Sequence, residues 1–163
     1  HHMDEPMAGW RVLVDLLKPG GLMKIGLYSE LARQPIVEAR KEIASLGLGT
    51  SEAEIRNFRE LSRESENHDV KQLSTFSDFF SLSEFRDAVF HVQEHRFTLP
   101  QIKNCLNELG LKFCGFENKD VISNFRERHG KEADIYDLEL WHQYEERNPR
   151  AFAEMYQFWC QKP

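Results

Sequence analysis

His91-Val92-Gln93-Glu94-His95-Arg96 is the densest run of side chains able to move protons or hold charge in this 163-residue sequence. Its two histidines are spaced i,i+4, so a helix running through them would place both rings on one face. The run is not the HExxH pattern of a zinc enzyme, because the acid adjoins the second histidine and no third ligand is evident. No metal centre is expected. The sequence fits better a helix ending near Val92, with His95 and Arg96 leading into the next element. A second set, Tyr28, Ser29, Glu30 and Arg33, follows a short apolar run. If that run is a strand of an open α/β sheet, the set lies beyond its carboxyl end, where such sheets bind ligands. These four are candidate substrate-binding residues. The structural alternative is that Ser29 caps the next helix and Glu30 stabilises its positive end. For His95 and Arg96 the alternative is loop hydrogen bonding and an ion pair with Glu94.

The element that must position the second set is the strand expected over 22–28. A helix precedes it, opened by Asp4 or Glu5 with Pro6 in the first turn and given an apolar face by Met7, Trp10, Leu13, Val14 and Leu17. Pro19-Gly20-Gly21 ends that helix and reverses the chain. Residues 22–28 are too short for a helix and almost continuously apolar, as a parallel strand covered on both faces would be. Residues 31–92 then read as a helical insertion, with capping boxes at Ser51-Glu52-Ala53-Glu54 and Ser81-Leu82-Ser83-Glu84 and an exposed loop over 62–71. Its phenylalanines at 76, 79, 80, 85 and 90 are expected to pack as a helical cap over the sheet or against a partner. Thr98-Leu99-Pro100-Gln101 opens another helix, Gly110 stops it, and period-two alternation gives a strand over 111–117. Right-handed crossovers would set that strand parallel to 22–28 in one sheet. Residues 118–163 read as a helical tail, its last helix capped by Asn148, begun at Pro149 and dense in aromatics from Phe152 to Cys160. The expected fold is α/β and mostly helical, a single domain over 1–163 with a partial Rossmann-like sheet of two parallel strands.

Composition narrows the function classes. A net charge of −6 argues against general nucleic-acid affinity. No apolar run approaches membrane-spanning length. Cys105, Cys114 and Cys160 are odd in number and lack CxxC spacing, so they read as reduced thiols of a cytoplasmic protein.

Three stretches carry a family resemblance. His1-His2-Met3-Asp4-Glu5-Pro6, Gly9-Trp10 and Leu16-Leu17-Lys18-Pro19-Gly20-Gly21 resemble the second half of a class I S-adenosylmethionine-dependent methyltransferase domain, with the "LKPGG" corner entering its fifth strand. Phe97-Thr98-Leu99-Pro100, Gly110-Leu111-Lys112-Phe113 and the "NPR-AF-MYQFW" run resemble the C-terminal segment of bacterial methyltransferase-domain proteins, some of which carry tetratricopeptide repeats. The resemblance implies that His1, His2 and Met3 line the methionine end of the cofactor. It also implies that His95 serves as general base and Arg96 as anion-binding group at the active-site mouth. The Gly-rich cofactor loop and the acidic residue after the second strand have no counterpart here, and the resemblance places both upstream of His1. The chain alone is therefore expected to hold no S-adenosylmethionine and to be inactive, its partner being the upstream half. His1-His2-Met3 also reads as an expression-tag remnant. The alternative function is a non-catalytic, mostly helical interaction or substrate-recognition module. An uncovered strand edge and the aromatic tail would further suit a homodimer.

Overall fold

Helix α1, Pro6–Leu16, starts on a proline whose missing N–H costs nothing in the first turn, and it buries Trp10 and Val14. The corner after it is the tight one the glycines suggest: Gly20 has φ of +78°, in the region an L side chain resists. Its N–H donates to the Lys162 carbonyl at 2.7 Å, and the Lys162 N–H donates back to the Gly21 carbonyl at 3.0 Å, so the corner is tied to the end of the chain. A side chain on Gly21 would meet the Lys18 carbonyl oxygen at 2.8 Å. Gly20→Val is accordingly expected to cost about 1–2 kcal/mol, read as a lowered thermal midpoint; an unchanged midpoint would refute the strained corner.

The computed structural model describes residues 1–91 and 93–163, and Val92, where the sequence suggested a helix end, lies outside the described residues. The chain divides into two compact units, one of residues 1–32 and 95–163 and the other of residues 33–94.

The first unit is built on a mixed sheet of strands β1 (Leu22–Ser29), β2 (Arg96–Phe97), β3 (Lys112–Phe116) and β4 (Tyr156–Gln161), in the order β2-β1-β4-β3. β2 lies parallel to β1, through Tyr28 with Arg96 and Ser29 with Phe97. β4 runs antiparallel to both β1 and β3. β1 and β3 thus share one direction, as the crossover argument requires, but they are not neighbours. The fold is α/β and mostly helical. Two expectations are corrected in this unit. Residues 118–163 are not a helical tail: α7 (Lys119–His129) and α8 (Leu138–Arg147) are helical, but no helix restarts at Pro149, and the chain ends in β4. Tyr156, Phe158 and Cys160 are fully buried while Trp159 is exposed, the period-two signature of a half-buried strand. Too many apolar residues for one helical face was the symptom of that shorter period. β1 is not covered on both faces either: Ile25, Leu27 and Ser29 are buried, Leu22 and Lys24 exposed. Helix α6 (Leu99–Glu108) has the reciprocal Thr98–Gln101 capping box and feeds β3 through Gly110. The register of β3 shifts between Phe113 and Phe116, where Gly115 takes a φ of +105°. The core joins Trp10, Ile25, Leu99, Phe125, Trp141 and Phe158.

Among the described residues the regular elements of the second unit are all helices or helical turns. It holds α2 (Gln34–Leu46), α3 (Glu52–Glu64), α4 (His68–Gln72), two 3-10 turns at Leu73–Thr75 and Ser77–Phe80, and α5 (Leu82–Phe90). The capping box at Ser51 and Glu54 is reciprocal. The exposed loop expected over 62–71 is instead the end of α3 and most of α4, anchored by Ser62 and Val70, both fully buried. Ile36, Ile55, Phe58, Phe79, Phe85 and Val89 form this unit's own core, while Phe80 is exposed. Among the described residues no helix is long and apolar enough to cross a membrane.

Candidate functional site

The carboxyl end of β1 gathers most of the residues singled out from the sequence. The ring of His1 packs edge-on against Tyr28, with centroids 4.7 Å apart, and His2 lies 4.2 Å from His1 and 6.2 Å from Tyr28. His1 Nδ1 is 3.2 Å from the Gly26 carbonyl oxygen, and the His1 carbonyl accepts from the His95 N–H at 2.8 Å. Glu30 follows the strand, its N–H donating to the Phe97 carbonyl at 2.9 Å. Arg96 Nε donates to Glu30 Oε2 at 3.0 Å. Strand pairing explains the convergence: Tyr28 stands opposite Arg96, so parallel register brings two segments nearly seventy residues apart to one sheet end. The result is a half-exposed cluster of three aromatic or imidazole rings beside a carboxylate–guanidinium pair. Such a cluster offers stacking faces, a hydrogen-bonding cation and imidazole nitrogens able to donate or accept a hydrogen bond.

Met3 is largely exposed; its sulfur lies over Gly9, where a side chain would collide with it, and with His1 it lines the cleft beside β1. Ser29 is fully buried and turned into the unit's interior. Its Oγ accepts from the Ala32 N–H at 3.0 Å and donates to Glu145 Oε1 at 2.6 Å. Tyr156 OH lies 2.7 and 2.6 Å from the two oxygens of the same carboxyl group. Glu145 is 1% exposed and has no ion-pair partner among the described residues. Burial pushes its carboxyl above the ordinary range, against the opposing hydrogen bonds from Ser29 and Tyr156 and the attraction of His142. Burial likewise pushes the Tyr156 hydroxyl up, reinforced by the Glu145 charge. This buried network ties the exit of β1 to α8 and β4.

Arg33 belongs to the second unit, where Nε and Nη2 donate to the two oxygens of Glu94 at 3.2 and 2.5 Å. Arg40 adds a 3.2 Å bond to the same carboxylate, and both guanidiniums also donate to the Ala88 carbonyl near the end of α5. Glu94 thus forms ion pairs with Arg33 and Arg40. His91 caps α5, its Nδ1 2.8 Å from the Gln93 carbonyl oxygen, and His95 lies in extended chain before β2. The two histidines share no helix. Among the described residues no group of three or more His, Cys, Asp or Glu side chains is placed to hold a metal.

Glu145, Tyr156 and Arg40 were missed from the sequence. Glu145 had a signal: it continues the buried stripe Leu138–Trp141 of α8 seven residues on, where a carboxylate does not belong unless it is hydrogen-bonded. Arg40 sits seven residues from Arg33 on α2, two turns along one face. Tyr156 was hidden by the reading of its strand as a helix.

No family model matches the chain. It is similar to an uncharacterized protein of Synechococcus sp., 27% identical over 130 residues, which cover 74% of this chain. The match covers only 30% of that longer protein.

Proposed function

We propose that this chain is the C-terminal, substrate-side portion of a class I S-adenosylmethionine-dependent methyltransferase domain. The observation that carries the reading is the sheet: two co-directional strands, β1 and β3, with the reversed β4 between them. That arrangement is how the sheet of the resembled family ends, and "LKPGG" leads into β1 as it leads into that family's fifth strand. The free side of β1 fits the same reading. β2 covers only Tyr28 and Ser29. A cleft of about 430 Å³ runs past Leu13, Ile25 and Leu27, and Trp10 on its wall has a buried Nε1 with no partner among the described residues. A preceding strand and its helix, the upstream half of such a domain, would cover this edge. A second copy of the chain is the competing occupant.

The residues present do not by themselves fit the cofactor. Met3 lies over Gly9, the His1 ring is engaged with Gly26 and Tyr28, and among the described residues no Gly-rich loop stands at a strand end to receive the adenosine and carboxypropyl groups. No step through the cofactor is derived. Within the proposal, Tyr28 and the Arg96–Glu30 pair orient the methyl acceptor, with His95 beside them as a candidate base. The second unit, a helical body with its own core inserted after β1, suits acceptor recognition.

Calorimetry is expected to detect no S-adenosylmethionine binding to the 163-residue chain. Photo-crosslinking of radiolabelled S-adenosylmethionine to the longest natural polypeptide containing this sequence is expected to label it. Substituting Tyr28 or Arg96 there should lower methyl transfer at least tenfold with little change in labelling. Micromolar binding to the short chain, or no labelling of the long one, would overturn the reading.

A further inference from the structure

The outer face of α7 is locally cationic on an otherwise acidic protein. Some exposed cations elsewhere are matched, Lys41 with Glu38, Arg56 with Glu52 and Arg63 with Glu60, while Arg86 and Lys112 stand singly and without an ion pair among the described residues. Lys119, Arg126 and Lys131 have no hydrogen-bond or ion-pair partner for their side chains among the described residues. All three line a groove of about 630 Å³ between α7 and the segment that follows it. Lys119, Ile122, Ser123 and Arg126 follow the i, i+3, i+4, i+7 spacing of a single helix face, opposite the buried Val121 and Phe125. Half-buried Ile122 and Ile135 supply an apolar floor, and Glu127 is the one carboxylate on the wall. The groove thus presents three cations against one anion in a protein whose net charge is −6.

We propose that this groove docks an acidic peptide segment carrying an apolar side chain between its carboxylates. Lys119 and Arg126 are seven residues apart on the helix, about 10 Å along its axis. In an extended peptide every second side chain shares a face, so carboxylates four residues apart, about 13 Å at roughly 3.3 Å each, bracket one apolar residue on that face. Allowing for the reach of the two long cationic side chains, those carboxylates meet Lys119 and Arg126, and the residue between them covers the isoleucines. Lys131 reaches across from the opposite wall. Nucleic acid suits the groove less well: no aromatic ring lines it for base stacking, and the surrounding charge repels a long phosphate chain. The proposal is independent of the methyltransferase reading and stands or falls on this surface.

The test uses the whole chain and fluorescence anisotropy with a labelled peptide, acetyl-Glu-Glu-Leu-Glu-Glu-amide, beside its all-glutamine counterpart. The acidic peptide should bind at least tenfold more tightly than the glutamine one and weaken at least tenfold between 50 and 500 mM salt. Arg126→Glu combined with Lys131→Glu should abolish the preference, whereas Arg126→Lys should retain it. Equal binding of the two peptides to the unmodified chain would overturn the proposal whether or not the variants fold. So would an oligouridine that binds more tightly than the acidic peptide.

Discussion

Replacing Glu94 by alanine is expected to destabilise the chain by about 3–5 kcal/mol, the cost of breaking a buried ion pair and leaving its charge behind. Glu94 has a side chain 1% exposed, and Arg33, its bidentate partner, is 7% exposed. Removing the carboxylate strands Arg33 and weakens the hold on Arg40, which also bonds the Val89 carbonyl. Arg33 and Glu94 are the first and last residues of the second unit, so their pair joins that unit's two ends. Chemical denaturation monitored by circular dichroism reads the effect. Removing both ends of the pair, Arg33→Met with Glu94→Met, should recover part of the loss, because no buried charge is then stranded by its missing partner at Arg33. A loss below 1 kcal/mol for Glu94→Ala would mean that the carboxylate is not desolvated.

Glu145→Ala is expected to cost several kcal/mol as well, by a different route. It leaves the Ser29 and Tyr156 hydroxyls buried without their acceptor, at about 1–3 kcal/mol for each unsatisfied group. Glu145→Gln separates charge from shape. Because burial raises the folded-state pKa of Glu145, folding takes up a proton between the ordinary carboxylate value, about 4.3, and the raised one. The contribution is fully present below that window and is lost as pH rises through it. The attraction of His142 on α8 opposes the rise. Thermal midpoints measured from pH 4 upward should therefore fall in the unmodified protein relative to Glu145→Gln. Parallel curves for the two would show that Glu145 does not titrate within the fold.

What the sequence determined by itself was local. Pro6, the Ser51–Glu54 and Thr98–Gln101 capping boxes, and the positive-φ glycines at 20, 47 and 110 act within a few residues of where they stand, so they could be read directly and mark real element ends. The strand after Gly21 and the β-alternation near 112–116 were legible for the same reason. Tyr28, Glu30, His95 and Arg96 were identifiable as chemically capable, but only the parallel register of β1 and β2 brought them together.

Tertiary structure decided what depended on distant partners. Aromatic density at 152–160 suits a buried helix or a buried strand alike; β4 is a strand because the β1 and β3 backbones offer hydrogen bonds on both its sides. Glu145 lies in an apolar stripe that would exclude a carboxylate, and it is tolerated there because Ser29, 116 residues away, and Tyr156 donate to it. Arg33 was placed by sequence position alone beside Glu30, yet its guanidinium is held by Glu94, 61 residues on, since a cation buried to that degree needs an anion and the fold of the second unit supplies one. Spacing along the chain records which side chains can share a helix turn. It does not record which ones a closed loop or a paired strand will bring into contact.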